Sequence, residues 1–473
     1  MQQLSGHDAS FVYFDLPHAP MHGCFLGLYD PSKAPAGRVD LEKIQGHIAE
    51  RLHLARCFRQ RLVRVPFDWD HPYWVEDKNF DLEYHVRHIA LPPPGDWAQL
   101  CRQCERIQAR SLDLSRPLWE LYLIEGLNQL EGVPSGSFAM LIKFHHAAID
   151  GASGAEIIQA IHDSDPGAEA GPVEDPWEPE EEPSAAELLW RAHSNAWLRS
   201  WEYAGLVART VPRLAPFNRR LLRQEFSVPG APPATRFGGR VTAHRSFDAV
   251  RLELEEVREL KRSVDGATVN DVLITVCGGA LREYLQEKRE LPEESLLAML
   301  PISVRDEGDE EGAGNRVSAM VVPIHTDVED AGERLAAVRE STRNSKEMTN
   351  AIGARLLADH TQFMPGALIG QAMRLTAAMP TEAPGAANYN TVISNVPGPR
   401  ARLYAAGARL VSTYGIGIPH DGMGLMHGIW SYCGELTIGA TACREMLPDP
   451  EFYAACLGRS YRSLKHATLG GRA

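Results

Sequence analysis

At 473 residues the chain exceeds one ordinary domain and suggests two or three units of about 100–200 residues. With 44% hydrophobic and 23% charged residues, neither global disorder nor a fibrous repeat fits. The 48 basic and 62 acidic residues give a net charge of -14, which argues against a nucleic-acid binder relying on general phosphate attraction and leaves room only for a local basic face.

The opening Met1-Gln2-Gln3-Leu4-Ser5 has neither a basic nor an apolar leader pattern, and no uncharged apolar run reaches about 18 residues, so a cytoplasmic protein is expected. In the first half, Asp40 caps a predicted helix whose Leu41, Ile44, Ile48 and Leu52 share one face; Leu121 to Ile124 and Phe138 to Phe144 read as strands. Cys101 and Cys104 form a CxxC, but Arg102, Glu105 and Arg106 place it on a helix, and no second CxxC completes a zinc site. Cys24, Cys57, Cys277, Cys433, Cys443 and Cys456 stand alone and read as buried free thiols; no metal is expected.

Residues Asp163 to Glu187 are acidic and proline-rich and form a predicted solvated linker. It divides the chain into an N-terminal lobe over 1–162, a linker and amphipathic segment over 163–240, and a C-terminal lobe over 241–473. Within that segment Trp190, Trp197 and Trp201 recur on one helical face, and Arg199, Arg209, Arg213, Arg219, Arg220 and Arg223 add positive charge. Two readings stay open: attachment to a membrane surface, or tryptophans that pack on the domains while the arginines face water.

In the second half, Thr268 opens a helix through Val272, Val276 and Ala280. Ala319 to Ile324, Thr391 to Ser394, Ala408 to Tyr414, Met426 to Tyr432 and Leu436 to Thr441 read as strands, and Asp449-Pro450 starts a final helix with Asp449 as its cap.

The strongest chemical signal is Phe144-His145-His146-Ala147-Ala148-Ile149-Asp150-Gly151, directly after a predicted strand, with Ser153 and Glu156 as a capping-box pair for a following helix. A tight connection between rigid elements holds a side chain firmly while exposing it, and Gly151 permits a positive φ. The histidines can be metal ligands, a structural pair satisfied by backbone, or a general base. No further ligand cluster completes a metal site, and a near-neutral pKa suits the base.

The sequence HHAAIDG resembles the HHxxxDG motif of CoA-dependent acyltransferases with the chloramphenicol-acetyltransferase fold, a superfamily that includes peptide-synthetase condensation domains. Further motifs narrow the resemblance. Pro72-Tyr73-Trp74-Val75-Glu76-Asp77 with Phe80-Asp81-Leu82, Ser115-Arg116-Pro117-Leu118-Trp119-Glu120, Asn270-Asp271-Val272, and Ser394-Asn395-Val396-Pro397-Gly398-Pro399 are similar, in order, to those of bacterial wax ester synthase/diacylglycerol acyltransferases. The absence of DFGWG argues against the plant alcohol acyltransferase branch.

This resemblance implies an α/β fold with mixed sheets, arranged as two similar lobes with a tunnel between them, acyl-CoA entering from one side and the alcohol from the other. It implies direct attack of the alcohol on the thioester in a ternary complex, His146 as base and His145 as its support. Asp150 is expected to pair with Arg305 of the other lobe; the rival is that Arg305 answers the acidic loop Asp306, Glu307, Asp309, Glu310 and Glu311. Asn270 is either a contact to the intermediate or CoA, or a second cap beside Thr268. Asp271, Ser394, Asn395, Pro397 and Gly398 are expected to bind substrate or shape the site, while Pro117-Leu118-Trp119 reads as packing.

The implied activity is transfer of fatty acyl groups from acyl-CoA to long-chain alcohols and to diacylglycerol, at a peripheral membrane or lipid-droplet surface. Acyl-CoA is a co-substrate, and no bound cofactor is expected. Broad chain-length selectivity follows, because a methylene discriminates by only about 1–3 kcal/mol. The rivals are a condensation-like enzyme using a carrier-protein-bound donor, and a catalytically inactive lipid-surface scaffold.

Overall fold

A computed structural model describes residues 1–34, 37–148, 157–167, 177, 179–199, 201, 205, 223, 229–303, 317–352 and 388–470. Asp150, Gly151, the Ser153–Glu156 box, Arg209, Arg213, Arg219, Arg220 and Arg305 lie outside the described residues. In chain order the elements are β1 (Gln2–Gln3), α1 (Gly6–Phe14), β2 (His22–Asp30), α2 (Leu41–Ala49), β3 (Gln60–Val63), β4 (Tyr73–Glu76), α3 (Leu82–His85), β5 (Val86–Ala90), α4 (Trp97–Gln108), β6 (Trp119–Glu125), β7 (Phe138–His145) and α5 (residues 185–199). There follow β8 (Arg245–Glu253), α6 (Leu254–Lys261), α7 (Val269–Glu287), β9 (Leu297–Ser303), β10 (Val317–Pro323), α8 (Ala331–Ile352), β11 (Thr391–Pro397), β12 (Tyr404–Ala405), β13 (Ala408–Ile416), β14 (Leu425–Tyr432), β15 (Glu435–Cys443) and α9 (Pro450–Leu469).

The chain divides into two units. The first comprises Met1–Tyr203, Thr361–Met379 and Gly398–Gly415. Among the described residues its main sheet has the order β12-β13-β2-β7-β6-β5, and β1-β4-β3 form a small second sheet. Strands β2 and β7 are central and buried almost throughout, which explains their continuous apolar runs in place of alternation. The sequence assigns residues 398–415 to the C-terminal lobe; in the structure β12 and β13 extend the first unit's sheet instead. Tyr404 and Asp163 exchange backbone hydrogen bonds of 2.9 and 2.7 Å. Arg409 reaches the Asp30 carboxylate at 3.2 Å, and Tyr414 packs on Trp97 with ring centroids 4.8 Å apart.

Helix α5 packs on the small sheet through Leu188 and Ala192, which join Val65, Tyr73 and Val75 in one apolar cluster. Asn195 donates to Asp70 at 2.8 Å, and Arg199 forms an ion pair with the same carboxylate. These four residues fall at i, i+4, i+7 and i+11, one helical face. Trp190, Trp197 and Trp201 therefore lie on the opposite face, 72%, 68% and 68% exposed. The packing reading of the tryptophans fails, and Arg199 turns away from their face toward the buried Asp70. Among the described residues no helix is long and apolar enough to cross a membrane.

The second unit comprises Ala204–His360, Pro380–Pro397 and Ile416–Ala473. Among the described residues its sheet has the order β10-β9-β11-β14-β15-β8. Strand β11 runs parallel to β14 as far as Pro397↔Ser431 but pairs with β9 only at Thr391↔Ala298 and Val392↔Met299. Pro301 lies beyond that short ladder, where its missing N–H costs no bond to β11. Pro450 opens α9 as expected, but Asp449 makes no side-chain cap bond. Its carboxylate instead accepts from Tyr284 and Lys288 of or beside α7, each at 2.6 Å, because charged and phenolic donors outcompete a terminal amide.

Candidate active site

Strand β7 delivers the histidine pair. It is hydrogen-bonded to β2 on one side and β6 on the other, with His145 opposite His22 and Phe144 opposite Trp119. At its end the backbone leaves the ladder into a single turn of 3₁₀ helix over His146–Ala148. Both histidine amides are fixed: His145 N–H donates to Leu118 O at 3.0 Å and His146 N–H to Met21 O at 2.8 Å.

The turn is backed by α1. Ser5 caps this helix by accepting the Asp8 amide at 3.0 Å, and its hydroxyl donates to the Asp8 carboxylate at 2.6 Å. Ala9, Val12 and Tyr13 then form one buried cluster with Leu118 and Ala147. From the same helix Phe11 lies flat on His146, with ring centroids 4.2 Å apart and planes 4° from parallel. His7, one turn earlier, meets Phe11 edge-on at 5.2 Å.

The two imidazoles have different environments. His145 is fully buried, and its Nδ1 accepts the Ala147 amide proton at 3.1 Å. Its neutral ring therefore carries the proton on Nε2. Burial, followed by the neighbouring His146, pushes its pKa down to about 3, so it stays neutral at physiological pH. Asp15 Oδ2 lies 3.9 Å from His145 Nε2, too far for a hydrogen bond. With His145 neutral this is a charge–dipole contact rather than an ion pair. Asp15 is itself held by the Met21 amide at 2.8 Å, and burial raises its carboxyl pKa. His146 is half-buried and keeps part of its ring open.

Lys143, two residues upstream, is buried; it donates to the carbonyls of Ile107 and Arg110 and lies 3.5 Å from Glu120. Those carbonyls close the end of α4, so Lys143 ties this helix to β7. Trp119 donates to Phe58 O at 3.0 Å and stacks on His85, which agrees with packing for Pro117-Leu118-Trp119. Cys101 and Cys104 are buried on α4. Burial pushes the thiols of Cys24 and Cys57 up to about 12 and that of Cys456 up to about 11, and raises Cys104 and Cys277 as well. Against the expectation of burial, Cys57 is only half-buried, and Cys433 is exposed because it sits in the tight turn between β14 and β15.

The remaining candidates belong to the second unit, apart from Gly398. Thr268 is the N-cap of α7, and Asp271 completes a capping box by accepting the Thr268 amide at 2.7 Å. The other Asp271 oxygen accepts from Thr342 of α8 at 2.6 Å. Asp271 thus joins two helices. Asn270 is exposed and takes no cap position; its Oδ1 accepts from Asn395 Nδ2 of β11 at 2.5 Å. Asn395 Oδ1 is buried and has no protein partner among the described residues. Ser394 is half-buried on the same strand; Pro397 is exposed at its end, where the chain passes to the first unit at Gly398.

Phe11, Asp15 and Met21 were not among the sequence candidates. The Ser5 cap followed by Ala9, Val12 and Tyr13 signals the helix. Nothing local signals that it backs residues more than 130 positions away.

Comparison with known proteins places this geometry in a family. Residues 4–273 match the model of the wax ester synthase/diacylglycerol acyltransferase catalytic domain, and residues 313–465 match that family's C-terminal domain. A putative diacylglycerol O-acyltransferase of Mycobacterium tuberculosis is 33% identical over 95% of this chain and 87% of its own length. A probable diacylglycerol O-acyltransferase of the same organism is 31% identical over 99% of both chains. Among solved structures, the wax ester synthase/diacylglycerol acyltransferase of Marinobacter aquaeolei aligns over 100% of both chains with a TM-score of 0.69 and 26% identity. The first condensation domain of the calcium-dependent antibiotic synthetase, at 14% identity and a TM-score of 0.58 over 100% of this chain and 97% of its own, shares the fold. On the strength of both domain matches and these full-length relatives, the chain belongs to the wax ester synthase/diacylglycerol acyltransferase family of acyltransferases.

Proposed function

We propose that this chain transfers a fatty acyl group from acyl-CoA to the hydroxyl of a long-chain alcohol, forming a wax ester, and to diacylglycerol, forming triacylglycerol. The observation that carries the mechanism is the asymmetry of the histidine pair: His145 is sealed and neutral, while His146 is partly open and held by backbone and ring contacts. His146 takes the hydroxyl proton as the alcohol oxygen attacks the thioester carbonyl. The tetrahedral oxyanion collapses and expels the CoA thiolate, whose thiol pKa of about 8.5 makes it a workable leaving group. The imidazolium returns the proton to that sulfur.

Direct attack needs no acyl-enzyme, and the raised thiol pKa values disfavour cysteine nucleophiles. Asn270 and Asn395 supply polar contacts to CoA or the intermediate; that Asn395 Oδ1 has no protein partner among the described residues supports this role. The exposed tryptophan face of α5 suits attachment to a lipid surface on the cytoplasmic side, where long-chain alcohols and products partition.

Incubation with palmitoyl-CoA and either hexadecanol or dipalmitoylglycerol tests the activity, following free thiol and ester together. Thiol release matched by ester supports it; thiol release without ester, or neither, overturns it.

A further inference from the structure

The His146–Ala148 turn is held by a segment outside the HHxxxDG motif. Hydrogen bonding fixes the backbone of His146 through Met21, and its ring meets Phe11. A parallel stack at 4.2 Å and 4° favours one plane for the imidazole. Phe11 is in turn set by α1, whose neighbouring Val12 and Tyr13 are buried beside Ala147 in the same turn. The edge-on ring of His7 bears on it from the preceding helical turn.

From this geometry we infer that Phe11 is a positioning residue for acyl transfer: its ring sets the plane of the His146 imidazole, and so the direction of the nitrogen that receives the alcohol proton. The inference rests on the reading of His146 as base. A base must lie within hydrogen-bond reach of its proton, and an error near 1 Å costs about 10²-fold. Phe11 does not itself touch the reacting atoms in this role. Its loss is therefore felt in turnover and spares the binding of acyl-CoA, which distinguishes it from a pocket-lining residue.

Three variants test this, each assayed with saturating alcohol over a range of palmitoyl-CoA. Phe11→Leu keeps apolar bulk on α1 and removes the flat ring; kcat should fall about 10–100-fold with the KM for palmitoyl-CoA within about threefold. Phe11→Tyr restores the flat ring and should recover kcat to within about threefold of wild type. Leu62→Ala, in the same apolar cluster but on β3, reports the cost of a general loss of packing, and should lower Tm while kcat stays near wild type.

If Phe11→Leu retains kcat, or loses it only in proportion to Tm as Leu62→Ala does, or if Phe11→Tyr fails to rescue, the inference is overturned. His146→Gln separates this from the underlying reading: retained turnover there removes the base itself, whereas lost turnover there with unchanged kcat in Phe11→Leu removes only the positioning role.

Discussion

His145 turns its protonated Nε2 toward the Asp15 carboxylate across 3.9 Å, because its other ring nitrogen is committed to the amide of Ala147. The ring is neutral and sealed, with a pKa held down at about 3 from an ordinary 6.5. Such a group stays neutral and does not shuttle protons at neutral pH.

This burial has a consequence for acid stability. Burial also pushes His162 and His427 down to about 4. In the unfolded chain these three histidines take up protons near pH 6.5, while the folded chain refuses them until pH 4 or below. Their contribution to stability is complete above pH 6.5 and is lost as pH falls toward 4. Thermal unfolding between pH 7.5 and 4.5 should show Tm dropping through that window, and His427→Gln should flatten the slope; an unchanged slope would remove His427 from this explanation.

Asp271 is expected to act through structure. Removing it strips the Thr268 amide of its partner and leaves the Thr342 hydroxyl only the Arg339 carbonyl at 3.0 Å, and Asp271→Ala should cost about 1–3 kcal/mol. Thr342→Val removes the other side of the same bond. In a double-mutant cycle by urea denaturation the two losses should sum to more than the double variant shows. Additive losses would mean the 2.6 Å contact carries no coupling energy.

The outward tryptophans are expected to serve binding rather than folding. Replacing Trp190, Trp197 and Trp201 with Ser should leave Tm nearly unchanged, since exposed side chains far from caps and cores shift stability by about 0.5 kcal/mol or less. Recovery on sedimented anionic vesicles should fall sharply. Equal recovery of wild type and variant would show that this face does not dock on lipid.

The sequence exposed those parts of the fold that depend on nearby residues. Strand β7, the caps at Asp40 and Thr268, and the helix opened by Pro450 each follow from a local run or spacing. The histidine pair was legible for the same reason, lying at the end of an apolar strand. What escaped depends on distant partners. Asp449 has the position of a cap, yet Lys288 and Tyr284 claim its carboxylate. Strands β12 and β13 follow the second unit's β11 in sequence but pair in the first unit's sheet, because β2 needs a neighbour on its open edge. Phe11 stacks on a histidine 135 positions later, which no periodicity in α1 announces.

The most direct test of acyl transfer by a His146 base is single-turnover reaction of His146→Ala with palmitoyl-CoA and hexadecanol, beside wild type and His145→Ala. A positioned base contributes about 10²–10⁴-fold, so His146→Ala should lose at least that lower factor while Tm and acyl-CoA binding stay near wild type. His145→Ala should lose less turnover and more stability. Retention of more than about half of wild-type turnover by His146→Ala would contradict general base catalysis at this residue.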